Sequence, residues 1–273
     1  MSLFKKILKY LLPSSLLLLL VFVPLYPKLP LIDIKNTWVY VRVEDFLVLT
    51  TVGIWIYLLL AKKVSLKTPL TIPIFAYWIV GAIATIHGVI IIFPTIANVY
   101  PNVSLLTYLR HIEYLILFFV AFSSVRSRKF VLLSIWTVVM SLVGVIAYGF
   151  GQKFLSFPAY LTMNEQYAKG TAIFVSPLGR ISSTFAGHYD LAAYLVLVIP
   201  ILVGLFFGFK NIFIKLFLLI ISLLGVVLLF WTVSRVSFFA LFIALLVVVL
   251  FHKKKLVYIF TPFVVVAGFI FLY

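Results

Sequence analysis

Cysteine is absent from the 273 residues of this chain, and acidic residues number only six. The lack of cysteine excludes disulfides, thiolate metal sites and a cysteine nucleophile. Charged residues make up 10% of the chain and hydrophobic residues 65%, a balance that excludes a soluble globular domain. The chain also has no Walker loop, dinucleotide fingerprint or serine nucleophile elbow. Nucleotide-dependent enzymes and serine or cysteine hydrolases therefore have no support in the sequence.

Long apolar runs recur along the whole chain. They are continuous rather than alternating, which excludes a transmembrane β-barrel. Runs of about 18–24 apolar residues are long enough to cross a bilayer as helices. We therefore predict an all-α polytopic integral membrane protein, a bundle of about nine transmembrane helices. The predicted spans are residues 7–26, 46–61, 70–93, 107–124, 130–150, 188–208, 212–231, 236–251 and 256–273.

The net charge of +16 comes from 22 basic and six acidic residues, and its placement argues against nucleic-acid binding. With the N-terminus in the cytoplasm, the cytoplasmic segments hold 14 of the 22 basic residues. All six acidic residues then fall outside the membrane or at its outer edge. This asymmetry is the positive-inside pattern, so it predicts a cytoplasmic N-terminus and no nucleic-acid partner.

No soluble segment interrupts the predicted spans, and we predict a single transmembrane helical domain over residues 1–273. The ninth span ends at Tyr273 without a polar residue after it. Membrane proteins usually continue past such a run, so we expect the sequence to be truncated before a large outer loop. Within the sequence, the largest outer segment is 151–187, which mixes aromatic and charged residues as interfacial segments do.

Arg180 is the first candidate site residue, because it lies just before the start of a predicted span. Unpaired backbone N–H groups and the helix dipole favour an anion at such a position. Ser182, Ser183 and Thr184 follow it and add hydroxyl donors. Arginine near hydrocarbon is costly to desolvate, so it persists where it meets a phosphate, a carboxylate or water. The alternative is an interfacial anchor that extends to lipid headgroups.

Arg235 is the second candidate, at a turn of two or three residues between two later spans. Its alternatives are the same anchor role or a salt bridge to Asp190 or Glu113. Both arginines are predicted on the outer side of the membrane. Together they indicate a site for an anionic, phosphorylated and lipid-linked substrate.

Further polar residues lie at other predicted outer helix starts. Arg110 and Glu113 are three residues apart, so they can pair on one helix face. A structural ion pair is one interpretation, and the other has Glu113 orienting an arginine or acting as a base. Arg42 precedes Glu44 and Asp45, which are ordinary partners of a helix start.

His188 and Asp190 stand at the start of the sixth predicted span. We predict Asp190 as an N-cap, and His188 is a candidate general base. No metal site is expected, because His111-x-Glu113 and His188-x-Asp190 lack further ligands at supporting spacing.

Several of these residues stand in short motifs that resemble a known family. The stretch Gly179-Arg180-x-x-Ser183-Thr184-Phe185, followed by Leu191-Ala192-Ala193-Tyr194-Leu195, is similar to Gly-Arg-x-x-Gly-Thr-Phe and Leu-Ala-x-Tyr-Leu of the O-antigen ligase and polymerase family. Thr232-Val233-Ser234-Arg235 resembles that family's Ser-Arg turn, and Val43-Glu44-Asp45-Phe46-Leu47 its usual opening. Two departures are Ser183 in place of the usual glycine and His188-Tyr189 where the family often has Pro-Asn.

The resemblance covers the chain as an N-terminal portion of a bacterial inner-membrane protein of about a dozen helices. It implies a glycosyltransferase of lipopolysaccharide and other surface-polysaccharide biosynthesis. Such an enzyme transfers a glycan from undecaprenyl pyrophosphate to a glycan, lipid or protein acceptor outside the cytoplasmic membrane. The resemblance implies no cofactor, nucleotide sugar or metal.

The resemblance also implies site roles. Arg180 and Arg235 would hold the pyrophosphate and stabilise charge on the leaving group. The supporting residues would be Arg110, Glu113, Ser183, Thr184, His188 and Asp190. The family's catalytic histidine would lie beyond Tyr273, so no residue of the sequence is assigned that role. The alternatives are a transporter or flippase for lipid-linked glycans, which the nearly uncharged span interiors disfavour, and a non-catalytic membrane fragment.

Overall fold

The structure, a computed structural model, describes residues 2–32, 34, 40–96, 99–125, 127–162, 165–176 and 178–252. Side chains are described from Tyr10 onward, apart from those of Glu165 and Gln166. The helices are α1 (Ser2–Leu25), α2 (Val43–Leu60), α3 (Thr71–His87), α4 (Pro101–Ser124), α5 (Arg128–Phe154), α6 (Glu165–Ala168), α7 (His188–Gly208), α8 (Ile212–Thr232) and α9 (Arg235–His252). Two short strands, β1 (Pro158–Ala159) and β2 (Ile173–Phe174), pair antiparallel.

Eight of these helices lie at the first eight predicted spans. In the described part of the chain, seven are long and apolar enough to cross a membrane, and α1 contributes a shorter apolar stretch, Tyr10–Leu25. The protein is thus a helical, multi-pass membrane protein, as the sequence predicts. The ninth predicted span, 256–273, lies outside the described residues, so the count of nine stays a prediction.

Several helices extend beyond their predicted bounds. α4 begins at Pro101 rather than at residue 107, with its proline in the first turn, where a missing N–H costs nothing. α3 continues through a π-helical turn, Gly88–Ile92, and a 3-10 turn, Phe93–Thr95. Hydropathy detects only the apolar section of a helix. The extension of α4 contains polar residues and that of α3 has irregular backbone, and hydropathy detects neither.

The chain divides into two compact units. The first comprises residues 1–20 and 31–134, and the second residues 21–30 and 135–273. The prediction of a single domain over residues 1–273 stays a prediction. Each unit has its own packing and its own group of candidate residues.

The first unit is organised by α2, α3 and α4 around a cluster of aromatic rings. Phe119 is fully buried and contacts Trp55, Phe75 and Trp78, with ring centroids 6.0, 6.5 and 6.2 Å away. The Trp55 indole donates a hydrogen bond to the Ser123 hydroxyl at 3.0 Å, which links α2 to α4. Such polar pairs join helices that gain little from apolar burial in lipid.

The second unit is a bundle of α5, α7, α8 and α9. Its core consists of fully or nearly buried aliphatic side chains, among them Leu142, Leu195, Leu202, Leu218 and Leu228. Glycines allow these helices to approach closely. A Cβ at Gly149 would stand 2.5 Å from Leu228 Cδ1, and one at Gly225 would stand 3.3 Å from Ile199 Cδ1. Small residues at helix contacts are the usual means of close packing in membranes.

Candidate functional site

The segment Gly179–Gly187, which carries Arg180, is fixed at one end of the second unit. The Ile181 N–H donates to the Trp231 carbonyl at 3.0 Å, at the end of α8. Ile181 itself is fully buried. Because Arg235 follows Trp231 by only four residues, this bond places both candidate arginines at the same end of the second unit. The alternation of the predicted spans across the membrane also predicts this placement.

Gln152, near the end of α5, holds the middle of the segment. Its side-chain amide accepts from the Ser183 N–H at 2.8 Å and donates to the Ser183 carbonyl at 2.9 Å. The same nitrogen reaches the Pro158 carbonyl at 3.1 Å. Gln152 is almost completely buried, so these bonds form away from water, where an unpaired amide would be costly.

Ser183 has a left-handed backbone, with φ of +53°. A side chain is uncommon in this region, which glycine adopts without penalty. The Ser183 hydroxyl offsets part of the cost by donating to the Val145 carbonyl at 2.7 Å. The two predicted site hydroxyls, Ser183 and Thr184, are therefore buried and bonded to backbone carbonyls rather than open to a ligand.

Thr184 ties the segment to the end of α1. Its hydroxyl donates to the Pro24 carbonyl at 2.5 Å, while Lys28 donates its ammonium to the Val23 carbonyl at 2.8 Å. The last carbonyls of a helix lack partners within the helix, and both contacts satisfy such groups. The segment is thus anchored to α1, α5 and α8 within the second unit.

Arg180 is exposed at this end and contacts His188, the first residue of α7. The distance from Arg180 Nη1 to His188 Nε2 is 3.1 Å, and His188 is 5% exposed. A guanidinium only donates, so Nε2 must accept and the ring is neutral with its proton on Nδ1. In this arrangement Nε2 accepts from the guanidinium, so His188 orients Arg180, and its role as a general base stays a prediction.

Asp190 is not the N-cap of α7. The N-cap is Gly187, with φ of −160° and ψ of 162°, and no side chain caps the helix. The helix begins three residues earlier than the N-cap prediction required, because His188, Tyr189 and Asp190 already belong to its first turn. Asp190 is instead exposed in the first turn, where its negative charge interacts favourably with the positive end of the helix dipole.

The turn before Arg235 contains a second left-handed residue. Val233 has φ of +56°, a conformation rare for a β-branched side chain. Ser234 follows, and its hydroxyl lies 2.7 Å from that of Ser237 in α9. Arg235 is exposed as the first residue of α9, and none of the described residues forms a hydrogen bond or ion pair with its side chain. Strained backbone of this kind clusters at functional sites.

Lys153 adds a third cation to this end of the second unit. Its ammonium lies 5.8 Å from the centroid of the Trp231 ring, and the Trp231 carbonyl receives the Ile181 N–H. Arg180, Arg235 and Lys153 therefore gather near the end of α8. Two exposed guanidiniums and an ammonium supply positive charge and N–H donors, which is the chemistry that matches a phosphate group.

Ser182 carries an unusual buried hydroxyl in the same segment. It is 2% exposed, and its oxygen has no hydrogen-bond partner among the described residues. The Tyr194 hydroxyl on α7 is in the same condition. Ser182 was predicted as a hydroxyl donor, and within the described part of the chain no acceptor receives that hydrogen bond.

Arg110 and Glu113, predicted as supporting residues, belong to the first unit. Arg110 Nη1 bridges Glu113 Oε2 at 3.0 Å and Asp45 Oδ1 at 2.7 Å. Arg42 pairs with Glu44 at 3.1 Å and donates its N–H to Asp45 at 2.9 Å. The predicted pairing of Arg110 with Glu113 is confirmed, and Asp45 joins it from the start of α2.

Three contributions were not predicted from the sequence, those of Gln152, Lys153 and Asp45. Gln152 lies just beyond the predicted span 130–150, and only the extension of α5 to Phe154 shows that its amide is part of a helix and needs buried partners. Lys153 follows it directly and gave no signal of its own. In the described part of the chain, no group of three histidine, aspartate or glutamate residues could hold a metal.

Comparison with known proteins found no matching family model, no matching curated protein and no matching solved structure. The function must therefore be argued from the site itself.

Proposed function

We propose that this protein transfers a glycan from an undecaprenyl-pyrophosphate carrier to an acceptor hydroxyl on the outer side of a bacterial cytoplasmic membrane. The activity would be that of an O-antigen ligase or polymerase, in surface-polysaccharide biosynthesis. The observation that carries the proposal is the hydrogen bond from Ile181 to Trp231, which brings Arg180 and Arg235 to one end of the second unit.

The chemistry requires a cationic site for the leaving group. As the acceptor oxygen bonds to the anomeric carbon, the bond from that carbon to the phosphate oxygen breaks. The released undecaprenyl pyrophosphate then carries the additional negative charge, and the acceptor proton passes to a base. Guanidiniums at the phosphate oxygens would stabilise that charge as it develops, which is electrostatic catalysis. Arg180 and Arg235 are the residues proposed for this role, with His188 orienting Arg180.

Backbone geometry at Ser183 supports the resemblance that suggested this function. The related motif has glycine at the corresponding position, and here that position has a positive φ. Only glycine adopts such geometry freely, so glycine is the residue that this backbone position favours. The shape of the segment thus fits the motif even where the residue departs from it.

The principal test replaces each arginine by lysine. Arg180→Lys and Arg235→Lys keep the charge but lose the planar fork that binds phosphate through two parallel bonds. Binding of undecaprenyl pyrophosphate to the purified protein in nanodiscs should weaken about tenfold or more for each variant. Glycan transfer from the same carrier, measured in membranes, should fall in parallel. Arg128→Lys, at the opposite end of α5 from Lys153, is the matched control.

Unchanged carrier binding and transfer in both variants would show that the arginines are interfacial anchors. Transfer that falls while binding of the carrier stays unchanged would also contradict the phosphate-binding role. A third arm with undecaprenyl phosphate, which lacks one phosphate group, measures how much of the affinity depends on the second phosphate.

Orientation is part of the proposal, because the glycan is expected on the outer side. The chain contains no cysteine, so single cysteines can be labelled without background. A Lys169→Cys variant should react with an impermeant maleimide in intact cells, whereas Lys62→Cys should react only after permeabilisation. The reverse pattern would place both arginines on the cytoplasmic side, where the proposed reaction does not take place.

A further inference from the structure

A cavity of about 550 Å³ lies between α3 and α4 in the first unit. This volume is within the range that small-molecule sites have. The described residues that line it include no aspartate, glutamate, lysine or arginine, and one histidine, His111. Four aromatic rings contribute to the lining, those of Tyr77, Phe93, Tyr100 and Tyr108. A ligand of this cavity is therefore not recognised through a salt bridge.

The Tyr108 ring forms a fixed wall of the cavity. A Cβ at Gly81 would stand 3.1 Å from Tyr108 Cε2, so the glycine lets this ring lie close to α3. The Tyr108 hydroxyl donates to the Trp78 carbonyl of α3 at 2.9 Å. Because the ring is held by packing and by a hydrogen bond, it offers a ligand a surface that is already in position.

A π-helical turn after α3 brings Phe93 into the lining. Tyr77, Gly81 and Thr85 are spaced four residues apart on α3 and all face the cavity. In a regular helix of 3.6 residues per turn, Phe93 would point well away from this stripe. The turn Gly88–Ile92 is wider, so it rotates the residue that follows back toward the stripe. Such turns are rare and occur frequently at functional sites.

Two hydroxyls in the lining depart from the usual bonding of helical side chains. Helical serine and threonine hydroxyls commonly donate to the carbonyl four residues earlier, as those of Thr51, Thr107 and Ser124 do. Thr85 and Ser104 line the cavity, and their hydroxyls have no hydrogen-bond partner among the described residues. An unpaired hydroxyl away from water costs free energy. A ligand with hydrogen-bonding groups would satisfy both.

A pyranose ring matches both features of the lining. Its hydroxyls donate and accept hydrogen bonds, as serine and threonine hydroxyls do. Its C–H groups carry partial positive charge and match the negative face of an aromatic ring. An acyl chain would leave the hydroxyls unpaired, and a phosphate or carboxylate would lack a cation. A quaternary ammonium would suit the aromatic rings but form no hydrogen bond with the hydroxyls.

We propose that the cavity between α3 and α4 binds an uncharged sugar ring. Its hydroxyls bond to Thr85 and Ser104, and one of its faces lies on a tyrosine ring. Tyr77 and Tyr100 are 52% and 42% exposed, so both rings are accessible to a ligand. The same chemistry occurs in free saccharides and in glycolipid headgroups. This site belongs to the first unit and does not depend on the proposed transferase function.

The test applies saturation-transfer NMR to the whole protein in nanodiscs, with the methyl glycosides of glucose, galactose and mannose as probes. We expect at least one of them to bind with a Kd on the order of 1 mM. Sorbitol has the hydroxyls without a ring face, and the methyl glycoside of the corresponding uronic acid adds a carboxylate. Each should bind about tenfold more weakly.

Three results would overturn the proposal. The first is the absence of saturation transfer to all three glycosides beyond that seen with empty nanodiscs. The second is sorbitol binding as tightly as the best glycoside, which would exclude stacking on the aromatic rings. The third is choline binding more tightly than every glycoside, which would assign the cavity to a quaternary ammonium.

Variants locate the binding within the cavity. Thr85→Val and Ser104→Ala remove the hydroxyls with little change in shape, and each should weaken binding about 2–10-fold. Ala84→Trp should fill the cavity and abolish binding. Tyr57→Phe, on an exposed residue of α2 outside this lining, is the control and should retain the parent affinity. Parent affinity in the Thr85→Val, Ser104→Ala double variant contradicts the hydroxyl contacts, even if Ala84→Trp fails to fold.

Nanodiscs that also contain the glycosyl diacylglycerol of the same sugar distinguish the two sources. A glycolipid that occupies the cavity should displace the methyl glycoside. It should also raise the Tm of the parent and leave that of the double variant unchanged, since a ligand stabilises only the state that binds it. Methyl glycoside binding that is unaffected by the glycolipid would assign the cavity to a free saccharide.

Discussion

Replacing Gln152 with leucine should destabilise the second unit, because leucine has a similar size but no polar atoms. The Ser183 N–H and carbonyl would lose their partners at a buried position. Each unsatisfied buried group costs about 1–3 kcal/mol, so the total loss is about 2–6 kcal/mol. The Pro158 carbonyl is less affected, since the Tyr148 hydroxyl still donates to it at 2.8 Å.

Thermal unfolding followed by size-exclusion chromatography in detergent measures this effect. At about 2–4 °C of Tm per kcal/mol for a domain of this size, the Tm of Gln152→Leu should fall by about 5 °C or more. Gln166→Leu, which makes the same substitution in α6, measures the general cost of replacing glutamine. A Tm for Gln152→Leu within about 1 °C of the parent would refute the bonding described for Ser183.

Gln152→Glu separates the hydrogen bond that the side chain accepts from the one that it donates. Glutamate can still accept from the Ser183 N–H, but it places a second oxygen against the Ser183 and Pro158 carbonyls. This variant should be at least as unstable as Gln152→Leu, because the carboxyl oxygen and the two carbonyl oxygens, which all carry negative charge, then face one another at a buried site. Both variants should also weaken carrier binding, since the segment that Gln152 holds is the one that carries Arg180.

Three further outcomes follow from backbone geometry and helix packing, and each is read from the Tm. Ser183→Gly should be more stable than Ser183→Ala by about 1 kcal/mol, because both lose the hydroxyl but only glycine relieves the left-handed backbone. Val233→Asn should raise the Tm by a few degrees, since asparagine tolerates this conformation and Val233 is half exposed. Gly149→Ala should cost about 1–3 kcal/mol through its clash with Leu228, whereas Gly208→Ala, with open space around it, should be neutral.

The transmembrane helices were predictable from hydropathy, because each must present about 20 apolar residues to lipid. The residues at which these helices begin and end were less predictable. The start of α4 at Pro101 precedes the apolar run, and the π-helical turn after His87 leaves no mark in hydropathy. Proline and polar residues at a helix end depend on capping and neighbouring contacts, which a sequence window does not contain.

The candidate residues show the same division between local and distant causes. The pairing of Arg110 with Glu113 was predictable, because three residues along a helix fix their separation. The contribution of Asp45 was not, since it stands 65 residues away on another helix. The position of Ser183 in left-handed backbone depends on Gln152, and no rule of spacing connects those two residues.

The anchoring of the Gly179–Gly187 segment has a consequence for how the protein is made. Its contacts reach back to Pro24, 160 residues earlier than Thr184, and forward to Trp231 at the end of α8. During synthesis, the ribosome must therefore deliver α8 into the bilayer before the segment has its last anchor. Until then Arg180 emerges on a loop held only by helices already inserted. The proposed site thus assembles only after α8 has entered the membrane, and not when Arg180 itself is synthesised.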